Sequence, residues 1–112
     1  MCCVGGEGNT IDRVISKNGI PIRLTDERWS HIIEEHTELA GMRRDVLEAV
    51  ADPGKVLQGN YGALMAVCEM ARGKYLVAVY NELERDGFII TAFLTRRLSS
   101  LNRRKQLWPT LQ

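Results

Sequence analysis

Hydrophobic and polar positions follow two different periods along this chain. From Ile11 the runs IDRVISK and IPIRLT alternate and flank Asn18-Gly19, the strongest short-range signal for a tight hairpin. Both runs are half polar and Pro21 stands early in the second, so they predict an edge hairpin. Thr25 with Asp26 and Glu27 then marks a helix start: a capping hydroxyl followed by two acids at the positive end of the dipole. Trp29, Ile32, Ile33, His36, Leu39 and Ala40 recur at helical spacing, which predicts one helix running to Gly41. A second helix is predicted over Arg43–Ala51, with Met42, Val46, Leu47 and Val50 on its buried side. Asp52-Pro53-Gly54 ends it, because the residue before a proline is pushed out of helical geometry.

The period then returns to two. Strands are predicted at Lys55–Gln58, 63–70, 74–81 and Gly87–Thr95, separated by the turns GNYG, ARG and ERDG. Short turns imply an antiparallel meander. In the last strand Phe88, Ile90, Ala92 and Leu94 share a wholly apolar side, which should carry the helices. Ile89, Thr91, Phe93 and Thr95 make a mixed side, open to solvent or a ligand. Ser99 or Ser100 can cap a short terminal helix bearing Leu101 and Trp108 and stopped by Pro109. The predicted fold class is α+β: two N-terminal strands and two helices packed on one face of a mainly antiparallel four-stranded sheet, with a short C-terminal helix. Residues 1–10 have no periodicity and read as a disordered tail, leaving 11–112 as a single domain.

Composition narrows the class. With 112 residues, 45% of them apolar and 26% charged, the chain reads as one soluble globular domain. It has no apolar run of membrane-spanning length and no secretory signal, so a cytoplasmic protein without membrane contact is expected. Cys2, Cys3 and Cys68 make neither a disulfide framework nor a zinc pattern. Net charge is +1 but unevenly spread. Residues 96–112 hold Arg96, Arg97, Arg103, Arg104 and Lys105 without an acid, and the rest sum to −4. That split fits either a local anion-binding surface or a solvated terminus.

Both histidines fall in the first predicted helix. His36 centres on the apolar stripe, where it is either a hydrogen-bonded core residue or a general acid–base. His31 lies on the flank among glutamates. Five residues apart on a helix, the two point about 140° away from each other and cannot share a metal. No nucleotide-binding glycine motif occurs, so no cofactor is expected. What remains is histidine, arginine and hydroxyls. Metal-independent RNA cleavage uses such groups: a base for the 2′-hydroxyl, a cation for the phosphorane and an acid for the leaving oxygen. His36 or His31, Arg96, Tyr80 and Thr95 are the candidates for those roles.

The segments RWSHIIEEHTEL, VLEAVADPGKV, YLVAVY and GFIITAFLTRR, in that order, resemble the barnase–EndoU–colicin–RelE-like (BECR) group of small nucleases, its phage-associated and BrnT-like toxin branches above all. The resemblance covers roughly residues 20–98. It implies a four-stranded α+β fold, endoribonuclease activity without metal and an antitoxin partner. By position His36 takes the place of the helix histidine, and Tyr80, Thr91, Thr95 and Arg96 fall on strands that shape the site. Strand 63–70 carries no arginine where BrnT-like toxins have one; Arg72 comes only in the following turn. Thr91, Arg97, Arg103, Arg104 and Lys105 are then the candidate contacts to RNA. One conflict stands: a His36 facing the apolar side of the sheet is on the wrong face to meet Thr91 and Thr95. Either the helix is rotated or packs over a curled sheet edge, or one set is structural. Two other readings compete with the nuclease: a catalytically inactive RNA-binding module, and an interaction subunit that docks Leu98, Leu101 and Trp108 on a partner or a second copy.

Overall fold

The computed structural model describes residues 11–109. The expected N-terminal tail, with Cys2 and Cys3, lies outside the described residues. Strands β1 (Ile11–Ile15) and β2 (Pro21–Thr25) form the hairpin. Gly19 takes φ +82° at its tip, where its N–H donates to the Ser16 carbonyl at 2.9 Å. Helix α1 (Asp26–Glu35) follows at once, its first turn capped by Thr25 Oγ1, which accepts from the Arg28 N–H at 3.1 Å. Then come α2 (Arg43–Ala51), β3 (Lys55–Gln58), β4 (Leu64–Ala71), β5 (Lys74–Glu82), β6 (Gly87–Thr95), α3 (Leu98–Asn102) and β7 (Gln106–Trp108).

The sheet corrects the expected architecture. Among the described residues it has seven strands in the order β1-β2-β6-β5-β4-β3-β7 and is mixed, with three α-helices. The N-terminal hairpin is not a separate pair. It joins β6 through a parallel contact, Ile22 opposite Gly87 and Arg23 opposite Phe88. Burial explains this: Ile22 and Leu24 are fully buried in the core that α1 and α2 share, so β2 must enter the sheet. The seventh strand has a similar cause. Gln106 and Trp108 pair with β3, the Gln58 N–H donates to the Lys105 carbonyl at 2.8 Å, and backbone groups on the β3 edge are thereby satisfied. The expected terminal helix therefore stops at Asn102, and Trp108 sits in a strand.

The sheet is strongly curled. Lys17, in the hairpin turn at one end of the strand order, lies with its ammonium 4.5 Å from the centroid of Trp108 at the other end. Glu82 clamps the same turn, accepting from the Ser16 hydroxyl and from Asn18 Nδ2. Helix α2 packs against β1, β4 and β5 inside this curl. Arg43 at its start forms an ion pair with Asp12 Oδ2 at 2.9 Å and donates to Asp26 Oδ1 at 2.6 Å and to the Leu24 carbonyl, tying β1, α1 and β2 to α2.

Apolar cores lie on both faces, which also corrects the one-face expectation. Ile32, Leu39, Val46 and Val50 meet Leu76, Ala78, Tyr80, Ile89 and Ala92 on the α2 side. Leu57, Met65, Val67 and Val77 form a second cluster under Leu101 of α3, with Phe93 beside it. A β-bulge exchanges the faces within β6. The register passes from Thr91 opposite Val79 to Ile89 opposite Tyr80, so Ile90 is an extra residue. Ile89 therefore joins Ala92 and Leu94 on the α2 side, where strict alternation had placed Ile90.

Candidate functional site

Among the described residues β2 pairs with β6 at two positions only, and the chain leaves β2 for α1 at Thr25. Helix α1 and the turn after it then run beside the rest of β6. Between them lies a groove of about 460 Å³, lined by Arg28, His31, Ile32, Glu35, His36, Ile90 and Thr91. Arg28, His31, Ile32 and Glu35 are spaced three and four apart, so one helical face supplies them. Ile32 is buried at the base. Ile90 and Thr91 reach the groove because the bulge turns the strand there.

His36 escapes the helical wheel. The helix ends at Glu35, His36 adopts φ −132° and ψ 73°, and a 3₁₀ turn carries Thr37–Leu39 so that Leu39 enters the core. Glu34, Glu35 and Glu38 crowd the negative end of the helix dipole with no base in the last turn, which disfavours a longer helix. Freed from the stripe, the His36 ring lies 6.2 Å from the Phe93 ring, and Phe93 belongs to the α3-side cluster. His36 thus reaches the face that bears Thr91 because the helix ends before it, an arrangement outside the expected alternatives. Its Nδ1 is 3.8 Å from Glu38 Oε2 with 31% of the side chain exposed; His31 Nδ1 is 3.7 Å from Glu34 Oε1 with 60% exposed. Contacts this open are screened and orient the rings more than they stabilise the fold.

The other predicted residues divide. Thr91 lines the groove with both histidines. Thr95 is half-buried, and its Oγ1 accepts from the Arg97 N–H at 3.0 Å, closing the turn after β6. Tyr80 is 1% exposed in the α2-side core, on the opposite face from Thr91. Burial, and then the Glu82 carboxylate, push its hydroxyl up to about 12, so it stays protonated at neutral pH. Arg96 and Arg97 are exposed beyond the strand; Arg96 is three residues past Phe93, about 10 Å along an extended chain. Arg103 and Lys105 are exposed, whereas Arg104 is half-buried with Nη1 3.2 Å from both the Gln58 carbonyl and Asn60 Oδ1. Leu98, Leu101 and Trp108 do not make one stripe: Leu101 is buried and Trp108 lies under Lys17.

Sequence reasoning missed Arg28 as the cation and Glu35 as the carboxylate of this groove. Their signal was present, since positions 28, 31, 32 and 35 repeat with helical spacing. The described residues include no group of three or more His, Cys, Asp or Glu side chains placed to hold a metal ion. The side chains that line the groove can supply proton transfer, positive charge and hydroxyl donation. Compared with protein-family models, with curated proteins and with solved structures, the chain matches none.

Proposed function

We propose that the protein is a toxin-like endoribonuclease that cleaves single-stranded RNA by general acid–base chemistry in the α1–β6 groove. The observation that carries this reading is that both histidines, Arg28 and Thr91 line one open cavity. RNA transesterification can use those group types as base, acid, cation and hydroxyl donor.

The division of labour follows exposure. His36, the less exposed ring and the one braced by Phe93, takes the proton from a ribose 2′-hydroxyl. The 2′-oxygen attacks the adjacent phosphorus and the bond to the 5′-oxygen breaks. Protonated His31, nearer solvent, gives its proton to the departing 5′-oxygen. Arg28 balances the charge of the phosphorane, and the Thr91 hydroxyl donates to a non-bridging oxygen. The products are a 2′,3′-cyclic phosphate and a 5′-hydroxyl. Arg96, Arg97, Arg103 and Lys105 hold the phosphates on either side, with a salt dependence to match. On this reading the protein acts in the cytoplasm, and a cognate antitoxin laid across the groove would block it.

The variants His36→Ala and Arg28→Ala test the assignment against labelled single-stranded RNA in chelator. Each should lower the cleavage rate by about 10²-fold or more. Cleavage that proceeds unchanged in both variants removes the site from consideration. An RNA that is bound and left whole by wild type identifies a binding module instead.

A further inference from the structure

A second groove, of about 400 Å³, adjoins the first and shares Ile90 and Thr91 with it. Its floor is apolar: Met65, Val79, Ile90 and Phe93. Its rim carries Asn60, Asn81 and Arg104. Tyr61 stands at the mouth, fully exposed, at φ 55° and ψ 39°. Among the described residues it is the one non-glycine side chain at positive φ, an outlier for so bulky a residue. The turn around it is held by Gly59 N–H to the Ala63 carbonyl at 2.8 Å and Ala63 N–H to the Asn60 carbonyl at 3.0 Å. An aromatic ring kept wholly in solvent on strained backbone contributes nothing to the core.

We propose that this groove is a subsite for one unpaired nucleobase of the RNA strand whose phosphate lies beside His36. The proposal rests on the endoribonuclease reading and adds the substrate's recognised part. An apolar floor accepts the face of a base, and the Tyr61 ring offers a stacking surface. Asn60 Oδ1 already accepts from Arg104, which leaves its amide N–H groups to donate; Asn81 offers both a donor and an acceptor. Arg104, pinned by two bonds, brings fixed positive charge to the rim. It is the middle residue of the acid-free run Arg103–Lys105, which complements the backbone of the same strand. Sharing Ile90 and Thr91 sets base and phosphate subsites side by side, as neighbouring parts of one nucleotide require. A duplex does not fit this description, because stacking and pairing hide the faces and edges that the groove addresses.

Fluorescence anisotropy with a labelled 2′-O-methyl oligoribonucleotide, which has no 2′ proton to remove, separates binding from cleavage. Tyr61→Ala should weaken binding between about five- and a hundredfold, the loss of one stacked base, while Tyr61→Phe keeps wild-type affinity. Melting curves of both variants should match wild type, since the ring is exposed. If this pattern holds while wild type leaves unmodified RNA intact, the subsite stands and the catalytic reading fails. Equal affinity of wild type and Tyr61→Ala overturns the subsite. So does an equal loss in the alanine and phenylalanine variants, or no binding by wild type.

Discussion

Gly87→Ala tests the arrangement that puts α1 beside β6. Gly87 sits where β2, β5 and β6 meet, paired with Ile22 on one side and Glu82 on the other. A Cβ there would fall 2.1 Å from the Asn81 carbonyl oxygen and 2.7 Å from Ile22 Cδ1. Ordinary carbon–oxygen approach is about 3.3 Å, so the strands must part by roughly 1 Å. The isoleucine methyl can rotate away, but the carbonyl belongs to β5 and moves only with the strand. Overpacking of this kind costs about 1–3 kcal/mol, and a backbone neighbour places this case at the upper end, about 3 kcal/mol. A domain of this size holds about 5–15 kcal/mol in total, and each kcal/mol shifts Tm by about 4 °C. The expected fall in Tm is therefore about 12 °C, read by circular dichroism, with a matching drop in urea midpoint. Because α1 starts directly after β2, RNA cleavage should fall as well. A variant that melts within about 2 °C of wild type refutes the three-strand junction.

Other expectations follow from single residues. Tyr80 holds its proton more tightly folded than unfolded, so its stabilising contribution is complete below pH 10 and is lost as pH rises from about 10 to about 12. Unfolding free energies from urea titrations across that window should fall by at most about 3 kcal/mol more for wild type than for Tyr80→Phe; parallel curves count against a buried phenol. Leu101→Ala removes the one buried side chain of α3 and should cost about 2–4 kcal/mol in chemical denaturation. It should also weaken RNA binding, because the Arg104 N–H bonds the Leu101 carbonyl at 3.1 Å. A variant as stable as wild type would leave α3 without an anchor. The double variant Arg96→Ala/Arg97→Ala should flatten the slope of log K against log salt by about 1.4 for a single strand, leaving base preference intact. An unchanged slope means these arginines touch no phosphate.

What was legible in the chain was local. Asn18-Gly19 marked the hairpin, Thr25 with two acids marked the start of α1, and the turns between β4, β5 and β6 announced the meander. The nonlocal parts were not legible. Nothing in PIRLT states that it pairs in parallel with residues more than 60 positions later. QLW looks the same whether it ends a helix or closes a sheet edge. The bulge at Ile90 hides inside an unbroken apolar run, so alternation assigned Ile89 and Ile90 to each other's faces. The same limits shaped the view of the site. His36 and Thr91 were picked out by residue type, yet their meeting depends on α1 stopping one turn early. Tyr80 and Thr95 carried suitable hydroxyls, and the fold spends one in the core and the other on a turn. Arg28 stands at helical spacing from His31, but an isolated arginine in an acidic helix carries a weaker signal than the Arg96-Arg97 pair.

The measurement that bears most directly on the central claim is an end-group analysis of RNA after incubation with the protein in excess chelator. The account predicts fragments ending in a 2′,3′-cyclic phosphate, partnered by 5′-hydroxyl ends, and no fragments from His36→Ala. RNA that stays intact, or fragments with 3′-hydroxyl and 5′-phosphate ends, contradicts it.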